Sequence, residues 1–306
     1  MKKKLFATGM SGCVGHYIFD ELAARNDLDL TFLIRSPEKV RYSLDNINVI
    51  KDDFKNIKKY EGIVRDSDYV IHLLADWGTE AGNYGQTQEL LGCLDPAKLE
   101  KMIYFSTASI LGNNNKADEK VLSCGTPYIK GKYKMHSELL TSPLKDRIIT
   151  LYPTWVLGGD AKHPYSHAST AIEGSMRWLW LLRFFSVDIK FHFIHAKDIA
   201  AVTAHLLKSS ITKGDYVLGN TAITADEIID KACAHFKIKE YFKVPITEGF
   251  VRKAAKILRK ELTPWDDHCL KTRQQVYSCV NPLTFGIRSE LDTIEKIFGE
   301  LFGQKL

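Results

Sequence analysis

The side chains best suited to moving a proton stand in TPYIKGKYKMHSELL, residues 126–140, where Tyr128 precedes Lys132 by four positions. On a helix, positions i and i+4 share a face, so a phenol and an ammonium are presented together. A phenol is a poor acid or base near neutrality because its ordinary pKa is about 10. A neighbouring ammonium favours the phenolate and is expected to lower that value. A buried Tyr beside a solvated Lys meets the same spacing, so the pair needs a third group and a cofactor before it becomes chemistry. YFSTASILG, residues 104–112, supplies hydroxyls at Ser106, Thr107 and Ser109. Thr107 could fix the oxygen of a carbonyl or carbinol while Tyr128 exchanges a proton with it and Lys132 holds a cofactor ribose.

A cofactor site is readable in TGMSGCVG, residues 8–15, which spaces Gly9, Gly12 and Gly15 directly after an apolar run and at the start of a helical pattern. Glycines let a backbone turn tightly against a pyrophosphate, whose charge meets the free N–H groups of the following helix. Ser11, Cys13 and Val14 share that loop and the expected contact. The spacing departs from the usual G-x-G-x-x-G, and a purely structural turn is the alternative. The end of the second strand selects the dinucleotide, because an acid there suits ribose hydroxyls and a base suits a 2′-phosphate. That position is Arg35, followed by Ser36 and Lys39; Asp29 precedes the strand and falls at the wrong edge. NADP is the expected cofactor and NAD the alternative, with a merely solvated Arg35 the bland reading. Asp53, with Phe54 beside it, reads equally as a contact to the adenine amino group and as a helix N-cap.

These groups need a sheet to bring them together. Strand-like runs at 4–9, 30–35, 48–53, 68–75, 102–109 and 147–158 alternate with helical patterns, among them 85–94 and the Tyr128 segment. Runs that are apolar throughout predict a parallel, doubly wound α/β sheet covered on both faces, with ligands beyond the carboxyl ends of its strands. Residues 1–158 are expected to form this dinucleotide-binding Rossmann domain. Residues 159–306 are expected to form mainly a smaller α/β substrate lobe, with some segments, about 186–210, returning to the first domain. Thr224 and Glu227 show a capping-box spacing.

Composition narrows the class. A chain of 306 residues with 45% hydrophobic and 26% charged residues is that of a soluble globular protein. A net charge of +5, spread over many Lys and Arg, is too diffuse for nucleic acid and mildly favours anionic small molecules. Six cysteines without C-x-x-C pairs or zinc spacing predict free thiols in a reducing compartment and no metal site. The amino-terminal apolar run is shorter than a signal core of about 7–15 residues, and no segment approaches the ~20 apolar residues of a membrane span. A cytoplasmic location is therefore expected.

In order along the chain, TGMSGCVG, VIHLLA (70–75), YFSTASILG, PYIKGKYKMHSE, LYPTWVLGG and FIHAKDIA (193–200) resemble an extended short-chain dehydrogenase/reductase of the NAD-dependent epimerase/dehydratase group. The resemblance covers roughly residues 1–220, with a fainter match at 281–294. It implies Thr107, Tyr128 and Lys132 as catalytic residues, Leu74 and Ala75 near the cofactor, and Pro153 and Thr154 lining the nicotinamide. It also implies a small-molecule carbonyl or sugar-like substrate, and a homodimer through helices flanking the sheet.

Departures from the group's patterns narrow the chemistry. Ala108 and Ser109 stand where 4,6-dehydratases resemble S-T-D-E, and PTWV replaces a segment that in many sugar-nucleotide epimerases contains Asn. Both departures, with Arg35, tilt the expectation toward a carbonyl reductase or dehydrogenase, with an epimerase holding NAD tightly as the alternative. A cofactor-binding regulator or assembly factor is a third reading, disfavoured because such relatives generally lose the Tyr or Lys. His72 and His195 read as packed or capping residues, WLWLLRFF (178–185) as a core helix, and FVRKAAKILRKEL (250–262) as a helix with a solvated basic face.

Overall fold

The computed structural model describes residues 2–303; residue 1 and residues 304–306 of the two expected domains lie outside them. Six strands are numbered here: β1 Lys3–Thr8, β2 Leu28–Leu33, β3 Asn48–Ile50, β4 Tyr69–His72, β5 Lys101–Phe105 and β6 Ile148–Pro153. With Gly214–Leu218 they form one seven-stranded sheet in the order Gly214–Leu218, β6, β5, β4, β1, β2, β3. Every pairing in it is parallel.

The apolar runs have the cause anticipated. Along β5, Ile103 and Phe105 join one core, whereas Met102 and Tyr104 join the core on the opposite face. A period-two strand covered on both sides must be apolar at every position. One face is closed by the helices Cys13–Ala23 and Ala196–Lys208; the other by Gly85–Cys93 and Pro127–Leu139. The fold is thus a doubly wound α/β sheet with a smaller α/β lobe. The lobe has its own core, which includes Ile172, Phe193, Ile223 and Phe298. The Thr224–Glu227 capping box is present, with Glu227 N donating to Thr224 Oγ1 at 3.1 Å and Thr224 N donating back at 2.7 Å.

Several expectations are corrected. Strand β2 lies two residues earlier than 30–35, so Asp29 is inside it, opposite Lys4 and still at its amino end. The run 48–53 stops being a strand at Ile50. The run 147–158 breaks at Thr154, whose N–H and hydroxyl both donate to the Leu218 carbonyl; Trp155–Leu157 then pairs with Phe193–His195. Gly214–Leu218 belongs to the main sheet, beyond the span 186–210. WLWLLRFF is not a core helix: only four residues, Leu179–Leu182, are helical, Leu179 alone is buried, and Trp178 and Trp180 face solvent. Its apolar letters have no helical period wide enough to bury both tryptophans. The helix expected over 250–262 spans Glu248–Ile257 and buries none of its residues, in keeping with a solvated face.

Among the described residues no helix is long and apolar enough to cross a membrane. All six cysteines are free thiols.

Candidate active site

Thr126 starts the helix that carries Tyr128 and Lys132. Its hydroxyl accepts from Ile129 N at 3.3 Å and Pro127 occupies the first turn, a proline-led capped start. The helix buries Tyr128, Ile129, Lys132, Met135 and Leu139, whereas Leu140 at its end is exposed. The Tyr128–Lys132 face therefore turns toward the sheet. It meets the carboxyl end of β5, where the chain leaves the strand at Ser106. Thr107 caps the turn Ala108–Ile110, its hydroxyl accepting from Ser109 N at 3.2 Å.

The structure places Lys132 inside the protein, 1% exposed. Its Nζ donates to the Phe105 carbonyl at 2.8 Å and the Leu74 carbonyl at 3.3 Å, and lies 4.8 Å from the ring centre of Tyr104. An ammonium has three donors, so one remains beyond those two carbonyls. Burial pulls this amine down to about 7. Tyr128 is also buried, 8% exposed, and burial pushes its phenol up to about 12, opposed by the Thr107 hydroxyl. The expectation that Lys132 lowers the phenol is overturned here. Lys132 Nζ lies 6.0 Å from the Tyr128 ring centre, and desolvation of the would-be phenolate is the largest cause of the upward shift.

A cleft of roughly 1330 Å³ runs past these groups to the glycine loop. Of the residues expected from sequence, Gly9, Ser11, Gly12, Cys13, Val14, Arg35, Asp53, Phe54, Leu74, Ala75, Thr107, Tyr128, Lys132, Pro153 and Thr154 all line it. Gly15 does not; it lies behind the loop, where a Cβ would sit 2.6 Å from Met10 Cα. Gly9 has φ +79°, and a Cβ there would lie 2.8 Å from the Leu73 carbonyl carbon and Leu74 N. Gly9→Ala combines left-handed strain with a backbone clash and is expected to cost about 2–4 kcal/mol. A urea melt checks this; an unchanged midpoint would mean that the loop relaxes freely.

Asp53 does cap the following 3₁₀ segment, accepting from Lys55 N at 3.1 Å. Arg35, its side chain 76% exposed, lies 3.7 Å from the Asp53 carboxylate. His72 is buried between the Thr8 and Thr87 hydroxyls, and burial holds it neutral, well below the ordinary histidine range. His195 caps helix Ala196–Lys208 through Nδ1, and Asp198 accepts from the Ser289 hydroxyl.

Sequence reasoning missed the cleft's aromatic wall. Trp77, on the loop after β4, stacks on Tyr128 with ring centres 4.5 Å apart and meets His167 edge-on at 5.4 Å. Nothing in ADWGTE marks that tryptophan beforehand, since its role comes from the loop's conformation. Asp76 shapes that loop, accepting from Gly78 N at 2.8 Å and from the Thr79 hydroxyl at 2.5 Å.

The residues present fit a dinucleotide. The loop has no side chain at Gly9 and Gly12 where a pyrophosphate would approach, and Ser106 Oγ is buried in the wall with no partner among the described residues. The sheet order, the glycine loop at the end of β1 and the Tyr-Lys helix beside β5 are those of an extended short-chain dehydrogenase/reductase; the protein is an enzyme of that type. The sequence model of the NAD dependent epimerase/dehydratase family matches residues 5–219, and the chain belongs to that family.

Solved structures agree on the fold. The Bordetella bronchiseptica enzyme WbmG, in complex with NAD, is 15% identical and superimposes with a TM-score of 0.69 over 99% of this chain and 96% of that one. UDP-glucose 4-epimerase of Thermus thermophilus, in complex with NAD, is 16% identical with a TM-score of 0.63, covering 98% of each chain. UDP-N-acetylglucosamine 4-epimerase of Methanobrevibacter ruminantium, in complex with UDP-N-acetylmuramic acid, is 18% identical with a TM-score of 0.66, covering 99% and 97%. Comparison with curated protein sequences gives no match.

Proposed function

We propose that the protein interconverts a carbonyl and a carbinol, with a nicotinamide dinucleotide lying along the loops after β1 to β4 and Tyr128 as acid and base. The observation that carries this is one continuous cleft, with the glycine loop and Arg35 at one end and Thr107, Tyr128 and Lys132 at the other. In this reading the sheet domain holds the dinucleotide and the lobe after residue 158 receives the substrate. The nicotinamide, when bound, gives or takes the hydride.

The remaining work belongs to the chain. Thr107 donates a hydrogen bond to the substrate oxygen and orients it. In the reductive direction Tyr128 transfers its phenolic proton to that oxygen as negative charge develops there. Lys132 spends two donors on the Phe105 and Leu74 carbonyls and so keeps one fixed direction for the third, toward a ribose hydroxyl. A phenol held at about 12 is protonated at neutral pH, which suits an acid for reduction. The reverse oxidation needs phenolate and is expected to accelerate as the medium becomes alkaline.

NADP is the preferred dinucleotide in this proposal. Arg35, Ser36 and Lys39 line the cleft, and the exposed Arg35–Asp53 pair is worth at most about 1 kcal/mol, so the guanidinium is free to turn to a phosphate. Arg35→Ser should weaken NADPH binding roughly 10- to 100-fold, the worth of a charge-assisted hydrogen bond, and leave NADH unchanged. Equal losses for both cofactors in a calorimetric titration would remove the 2′-phosphate from the account. The second reading is an epimerase that keeps NAD bound. It is favoured by the NAD in the WbmG and UDP-glucose 4-epimerase structures and by the acidic Asp53 beside Arg35. NAD that copurifies and survives gel filtration would select it.

A further inference from the structure

The substrate end of the cleft has a composition unlike its cofactor end. Trp77, Trp155, Tyr165, His167 and Trp265 line the cleft; Trp77 stacks on Tyr128 and His167 meets Trp77. They come from separate segments: the loop after β4, the short strand after β6, the entry to helix His167–Met176, and helix Pro264–Lys271. Trp265 packs on the apolar cluster that contains Tyr128, so this wall is continuous with the reacting position. Trp77 is 62% exposed, and Trp155 and Tyr165 are also exposed. Large aromatic faces left in water inside a concavity are surface that a ligand can cover.

Charge is distributed the other way. The Lys and Arg residues that line the cleft, among the described residues, are Arg35, Lys39, Lys55 and Lys132. The first three follow β2 and β3; β2 stands three strands from β5, about 14 Å at the usual strand spacing. The fourth is buried and tied to two backbone carbonyls. A diphosphate on the Tyr128 side would therefore meet aromatic faces with no guanidinium or free ammonium to pair with it.

We propose, resting on the oxidoreductase reading above, that the substrate is an uncharged compound whose carbonyl or carbinol is borne on a flat aromatic body, and not a nucleotide sugar. The aromatic body stacks between Trp77 and Trp265, which leaves its oxygen beside Tyr128 and Thr107.

The test uses the full chain loaded with NADP⁺, titrated by calorimetry with acetophenone, UDP-glucose and glucose in turn. Acetophenone is expected to bind saturably, UDP-glucose and glucose not. Trp77→Ala and Trp265→Leu are each expected to weaken acetophenone about fivefold, the worth of one aromatic pair, with NADP⁺ affinity unchanged. Saturable binding of UDP-glucose or glucose, no binding of acetophenone, or indifference of acetophenone to both substitutions would each overturn the inference. A protein that converts UDP-glucose in a Tyr128-dependent way would sink this substrate class and leave the function intact. A protein that binds no dinucleotide would instead sink the function itself.

Discussion

Tyr128→Phe is expected to lower turnover by about 10²–10⁴-fold, the range for losing a positioned general acid, while dinucleotide affinity and thermal midpoint stay near wild type. The phenylalanine keeps the ring that stacks on Trp77 and the buried position on the helix, and loses only the oxygen. The chemistry at stake is the proton on the substrate oxygen, which neither Thr107 nor Lys132 can replace. A threonine hydroxyl is far too weak an acid to give up its proton near neutrality, and Lys132 Nζ is turned to the Phe105 and Leu74 carbonyls, with its remaining donor assigned to the cofactor ribose. Steady-state oxidation of reduced cofactor, read beside its binding constant, checks this. A variant that keeps turnover within a few-fold of wild type would show that the proton comes from elsewhere.

Lys132→Met should abolish most activity as well, and it carries a signature in stability. The folded amine sits at about 7 against an ordinary 10.5, so burial disfavours its charged form. Below pH 7 both folded and unfolded chains hold the proton and the native state bears the full cost of a buried ammonium. Between pH 7 and 10.5 the unfolded chain binds more protons than the native one, so native stability rises with pH. From pH 6 to pH 9 the wild type should gain roughly 3 kcal/mol from this group. Methionine has no such titration. The midpoint of the variant minus that of wild type should therefore be several degrees more positive at pH 6 than at pH 9. The absolute offset is smaller than the pH effect suggests, because the Phe105 and Leu74 carbonyls lose a donor at about 1–3 kcal/mol each. A difference independent of pH would mean that the amine is not desolvated as the structure has it.

Much of the sheet and of the cleft's residue content was legible in the sequence, for a physical reason. A two-sided parallel sheet demands apolar residues at every strand position, and β5 writes that demand plainly as KMIYF. The glycine loop is legible because Gly9 and Gly15 stand where backbone leaves no room for a Cβ. The limits of local pattern show elsewhere. Strand Gly214–Leu218 looks like any short β-run, and only pairing with β6 makes it part of the main sheet. The electrostatics of Tyr128 and Lys132 could not be read from an i+4 spacing, because burial, a tertiary property, sets both shifts. Trp77, Trp155 and Trp265 lie far apart in sequence, on a loop, a short strand and a helix, and line one cleft only through the tertiary fold, so no window of residues contains that wall.

The central claim is that the cleft between the glycine loop and Tyr128 holds a nicotinamide dinucleotide. Gly12 offers the direct test, because a Cβ there would meet only the Gly9 carbonyl, at 3.4 Å, so the fold tolerates a side chain that the pyrophosphate would not. Calorimetric titration of wild type and Gly12→Glu with NADPH and NADH decides it. One saturable site per chain in wild type, lost in a Gly12→Glu protein with an unchanged melting curve, is the predicted result. No saturable binding of either cofactor to wild type, or equal binding to both proteins, would contradict the account.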